Sequence, residues 1–138
     1  MADLIYTSFK KRLGDGTFDM DADTFRCALF TSSHTPDAAQ TVFADLTGEA
    51  SGTGYTAGGV TLANVTWTTV DTTAVLDADD PSWTDASVTA RYAVIYKSGE
   101  ANGLTNPLVC LLDFGEDKGV TAGTFTVTFN ASGILVLS

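Results

Sequence analysis

The chain of 138 residues is poor in the groups that do chemistry: it has one histidine and two cysteines. His34 lies in Ser32-Ser33-His34-Thr35-Pro36, and no serine carries the glycine-flanked elbow of a Ser–His–Asp hydrolase. One histidine and two separated cysteines fall short of a zinc set. Two cysteines make no disulfide framework. Cys27 sits in the apolar run Phe25–Leu29 and Cys110 in Leu108–Leu112, so both read as small buried hydrophobes, with their pairing left open. No catalytic residue, metal ligand or cofactor is assigned. Cations are scarce too: seven Lys and Arg stand against 17 Asp and Glu, a net charge of −10. That balance opposes direct binding to nucleic acid or to an anionic membrane surface. No apolar run approaches the roughly 18 residues of a membrane-spanning helix. The first residues lack the pattern of a secretion signal, so synthesis in a cytoplasm is expected.

What remains is strand-forming. The hydrophobic fraction is 44% and the charged fraction 17%, as in a globular protein. One domain, 1–138, buries roughly 68% of the surface of its unfolded chain, enough for a core without staples. Ala90–Lys97 alternates with a period of two: Ala90, Tyr92, Val94 and Tyr96 against Arg91, Ala93, Ile95 and Lys97. This predicts a central strand with one buried face and charges toward both ends of the other.

In chain order, residues 3–13 predict a helix capped by Asp3, with Ile5, Phe9 and Leu13 on one stripe and Gly14 as the stop. Lys10, Lys11 and Arg12 suit its last turn. Residues 24–31 predict a strand. Residues 34–58 lack a period and form a long loop with a short turn at 42–46; loops of this length are commonly functional or mobile. Strands follow at 59–70, 73–78, 82–84, 88–97, 107–114, 124–130 and 134–137. Asp71-Thr72 reads as a tight reversal, Gly115–Gly123 as a polar loop and Asn130–Gly133 as a hairpin loop. The pattern is all-β: an antiparallel, jelly-roll-like sandwich of about eight strands with a short N-terminal helix or arm, 1–20.

Clusters that suggest chemistry do not meet its requirements. Asp19, Asp21 and Asp23 have calcium-loop spacing, but Thr24 and Phe30 stand where an EF-hand needs glycine and glutamate. Asp77, Asp79 and Asp80 read as solvated turn carboxylates. The glycines of Gly52-Thr53-Gly54 and Gly58-Gly59 are not followed by a helix carrying a phosphate-binding lysine.

Several phrases, in order along nearly the whole chain, resemble the cement (decoration) proteins of tailed-bacteriophage capsids. They are Tyr6–Lys11, Gly16–Asp19, Asp23–Leu29 running into Thr31–Ser33, Gly52–Gly59, Leu76–Asp80, Ala90–Lys97 and Asn106–Leu108. The resemblance implies a jelly-roll protein on the outer surface of the virion capsid, stapling neighbouring major capsid protein subunits and acting as a homo-oligomer, often a dimer. It carries over no site residue. The residues themselves offer two interface candidates. One is the arm, with Tyr6, Phe9, Lys10, Lys11 and Arg12, whose cations are either a solvated helix face or a dock for an acidic patch. The other is the 34–58 loop, with His34 and Tyr55. Two rival readings stand beside this one: a tail, neck or fibre component of the same virion, and a carbohydrate-binding module using Tyr55, Trp67 and Trp83 as stacking platforms.

Overall fold

The computed structural model of the chain describes residues 2–138. Its strands are β1 (Leu4–Ile5), β2 (Phe25–Phe30), β3 (Val60–Thr61), β4 (Thr66–Val70), β5 (Thr73–Asp77), β6 (Ser82–Lys97), β7 (Glu100–Ala101), β8 (Leu104–Thr105), β9 (Leu108–Thr126) and β10 (Leu135–Leu137). One helix, α1 (Thr7–Gly14), follows β1, and a single 3-10 turn covers Phe43–Asp45. Every strand pairing is antiparallel. A five-stranded sheet runs β1-β9-β6-β2-β3 and a three-stranded sheet runs β10-β5-β4; β7 and β8 form a separate small ribbon. The two larger sheets contain eight strands and contribute to one apolar core, in an all-β sandwich with a short N-terminal helix.

The expected central strand is central. Ile95 of β6 sits between Cys27 of β2 and Cys110 of β9, and the row continues to Ile5 on one side and Val60 on the other. The three middle residues of that row are fully buried. Two adjacent strand spacings separate the cysteines by about 10 Å, beyond disulfide reach, and both are free. Burial pushes the Cys27 thiol up to about 12 and raises that of Cys110 as well.

The expectation of one buried face is corrected: Ala93, Val94 and Ile95 are all fully buried, so both faces are covered. On the face of Phe25, Ile95 and Lys97, the Lys97 ammonium donates to the Thr17 carbonyl at 2.8 Å and pairs with Asp23 at 2.9 Å. Phe18 of that covering segment meets Phe9 of α1 edge-on at 5.0 Å. On the face of Arg26, Tyr92 and Tyr96 lies the 34–58 loop.

Other boundaries move for identifiable reasons. The helix starts at Thr7, because Leu4 and Ile5 pair with Leu111 and Cys110. Asp3 accepts the Asp113 N–H at 2.8 Å, and Tyr6 takes the cap position. The expected strand 59–70 splits at Asn64, which has φ 53°. The expected strands 82–84 and 88–97 are one strand with bulges, and the expected loop 115–123 is strand, continuing β9 along β6 to Thr126. Between Asp113 and Lys118, β9 carries three more residues than β6 carries between Ala90 and Tyr92, so the excess bulges outward around Gly115. Phe125, Val127 and Phe129 are buried with exposed threonines between, as their alternation requires, although the ladder ends at Thr126. The turn at Asn130–Gly133 does not close a hairpin; β10 crosses to pair with β5.

Candidate docking surface

The long loop is held along much of its length. Its backbone bridges Glu49 to Phe30, Val42 to Pro107 and Thr53 to Ser87. Arg26 on β2 donates to the Gly58 and Gly59 carbonyls and to the Thr61 hydroxyl. The Tyr96 hydroxyl also donates to the Gly58 carbonyl, at 2.5 Å. Two glycines allow the close approach. Gly52 (φ 153°) lies where a Cβ would sit 2.0 Å from the Ser87 carbonyl oxygen. Gly59 (φ 79°) lies where it would sit 1.9 Å from that of Cys27. Asp45 ties the 3-10 turn by accepting from the Thr41 and Val42 N–H groups and the Thr41 hydroxyl, and these bonds hold its carboxyl below the usual range.

Three of the interface candidates are interior. Tyr6 and Phe9 are fully buried and His34 is 2% exposed. They support the arm and the loop from beneath and do not reach a partner in this fold. His34 donates from Nδ1 to the Thr47 carbonyl at 2.8 Å and stacks near Phe30 and Tyr92; its Nε2 is buried without a protein partner. Phe43 completes this aromatic cover, 5.8 Å from Phe30 and 4.5 Å from Tyr96. Tyr55 is half-buried: its hydroxyl accepts from the Leu29 N–H and donates to Glu49, and desolvation followed by the Glu49 bond raises its pKa.

The cations of the arm are outside. Lys10 and Lys11 are exposed and Arg12 partly so. Lys11 and Arg12 both reach Asp15, at 3.6 and 3.2 Å. The other cations are engaged elsewhere: Arg26 by carbonyls, Arg91 by Asp113 at 2.7 Å, Lys97 by Asp23, and Lys118 by Glu116 at 3.0 Å. Among the described residues, neither Lys10 nor Arg26 has a carboxylate within ion-pair distance, and Arg26 is bonded to carbonyls, so Lys10 is the cation left with neither an ion pair nor a side-chain hydrogen bond. The helix therefore presents a small cationic ridge on an otherwise acidic body.

The aromatics proposed as sugar platforms do not share an exposed surface. Trp83 is 6% exposed beneath Tyr55, at 5.8 Å, and Trp67 packs partly buried on the core. Sequence reasoning overlooked two features. Arg26, a lone charge inside an apolar strand, is the clamp for the loop. The free edge of β4 is the other, marked in sequence by five residues without charge, Pro or Gly.

Comparison with protein-family models finds none that matches the chain. Comparisons with curated proteins and with solved structures likewise find no match.

Proposed function

We propose that this chain is a virion structural protein that binds the outer surface of a phage capsid and cements neighbouring major capsid protein subunits, acting as a homo-oligomer. The observation that carries the reading is the charge layout: a cationic ridge, Lys10, Lys11 and Arg12, on a clamped β domain of net charge −10. Such a ridge suits docking on an acidic patch of a partner, while the rest of the surface repels other anions. The ordered phrases that resemble capsid cement proteins point the same way. A clamp gains from engaging two subunits at once, because its second contact is effectively intramolecular.

The test is binding of the purified chain to empty capsid shells that lack it, followed by particle imaging and heating. Regular density over subunit boundaries and better survival of the shell on heating are the expected results. Labelling of the tail or neck, or no binding, overturns the reading. Replacing Lys10, Lys11 and Arg12 together by Glu leaves folding intact and lowers shell occupancy; unchanged occupancy removes the arm from the interface.

A further inference from the structure

Among the described residues, β4 is the one five-residue strand with an edge that pairs with no other strand. It lies at the end of the three-stranded sheet and pairs only with β5, in unbroken register from Thr66–Asp77 to Val70–Thr73. Natural edge strands are blunted by charge, proline, bulges or shortness. Thr66-Trp67-Thr68-Thr69-Val70 has none of the first three. Its Val70, 55% exposed, is the only large hydrophobic side chain so exposed among the described residues. The reversal at Asp71-Thr72 makes Val70–Thr73 the hydrogen-bonded pair beside the turn. Thr68 and Thr66 then also bond inward, and Trp67 and Thr69 direct their N–H and C=O groups outward.

We propose that this edge is the seam at which a second copy of the chain joins, extending the three-stranded sheet to six strands across a two-fold axis at Thr68. Such a seam is isologous and closes on itself. Trp67 of one copy exchanges both hydrogen bonds with Thr69 of the other, and the reverse, giving four bonds. Thr68 faces its own mate on the axis, and Thr66 covers the mate of the exposed Val70. Threonine pairs and β-branched pairs across strands are favourable.

The charge pattern favours a copy of this chain. Each copy carries −10, so close approach is tolerable only along an uncharged strip, and β4 is one. Across the seam the two Asp71 residues lie about 20 Å apart, and Asp77 lies about 10 Å from the mate's Asp71. Both distances exceed the Debye length of about 8 Å at physiological salt. At about 0.01 M salt the Debye length grows to about 30 Å, past both distances, so the dimer strengthens as salt rises. A cationic extended segment from a different protein shows the opposite salt dependence.

The inference deepens the homo-oligomer part of the capsid reading by giving it a seam, and its test is separate, since dimerisation is measured in solution without a shell. Sedimentation or light scattering from about 0.01 M to about 1 M salt is expected to show a monomer–dimer equilibrium that tightens with salt. Thr69→Pro removes an outward N–H and no hydrogen bond to β5; it weakens association about tenfold or more. Thr68→Glu sets like charges on the axis and does the same. Because either variant could also disturb the hairpin, a cross-link gives an independent reading. Facing Thr68 Cα atoms lie about 4.5 Å apart, within disulfide range, whereas Thr66 lies about 13 Å from its own mate. Thr68→Cys then cross-links under a mild oxidant, which takes up two electrons as the thiols lose their protons, and Thr66→Cys does not. A chain that stays monomeric at every salt, or a Thr68→Cys variant that cross-links no faster than Thr66→Cys, overturns the proposal.

Discussion

In the five-stranded sheet the outer strands are only two residues long, β1 and β3, and the central strands are buried on both faces. Loop carbonyls over β2 and β6 are bonded by Arg26 and Tyr96, and Glu49 accepts the Gly58 N–H. The three-stranded sheet uses the same kinds of residue but ends in a five-residue strand, exposed along nearly its whole length. Apolar content does not separate them. What differs is the covering: the first sheet has two long segments folded over it, whereas the second buries its Leu76 and Leu135 side and leaves Thr66, Thr68 and Val70 to solvent. The first sheet is covered on both faces and blunted at its edges, and the second keeps one unpaired five-residue edge.

The sharpest way to break this contrast is Gly59→Ala. The new Cβ meets the Cys27 carbonyl at 1.9 Å in a left-handed conformation. About 1–2 kcal/mol of backbone strain and up to ~3 kcal/mol of overpacking are expected, read as a lower denaturation midpoint. Ile95→Ala empties the middle of the buried row and costs about 3 kcal/mol in the same assay. Tyr96→Phe removes the bond to the Gly58 carbonyl and costs about 1 kcal/mol, with faster amide exchange confined to the 49–59 segment. Thr68→Ala on the bare strand changes monomer stability by no more than about 0.5 kcal/mol. A Thr68→Ala cost equal to that of Ile95→Ala would erase the distinction between the sheets.

Acid sharpens the comparison, because its expected effect falls on the clamped sheet. The Arg91 hydrogen bond, then the Gly115 N–H, holds the Asp113 carboxyl below its usual range. The unfolded form therefore binds that proton more readily than the folded one. The stabilisation is present above the ordinary carboxylate range of about pH 4 and is lost as pH falls through the lower folded value. Thermal melts across pH should show wild type and Asp113→Asn converging in acid.

Much of the fold was legible because alternation was. The rows Phe25-Cys27-Leu29, Val94-Tyr96 and Phe125-Val127-Phe129 all lie inside. The reading failed where turn residues serve inside strands: Asp85, Gly115, Ala122 and Gly123 look like breaks, yet they bend β6 and β9 without ending them. The helix start was displaced because Leu4 and Ile5 fit a helical stripe as well as a strand, and only the partner β9 decides between them. For the docking surface, Lys10, Lys11 and Arg12 were found from charge alone. Tyr6 and Phe9 lie inside because an apolar stripe looks the same whether it faces a partner or the chain's own core, and His34 is held inward by the Thr47 carbonyl and the Phe30 and Tyr92 rings, which its loop sequence does not announce.

The pairing of β2 with β6 also has a consequence for how the protein is made. Phe25–Phe30 leaves the ribosome about 60 residues before Tyr92–Lys97, its partner along most of its length, has been synthesised. At roughly 5–20 residues per second this apolar segment waits about 3–12 seconds without its neighbour. β6 and β9, joined by only ten residues, close on each other as soon as both exist. The expected order is therefore that β6 and β9 form the template and β1 and β2 dock on it last, with the apolar Phe25–Phe30 segment uncovered in the meantime.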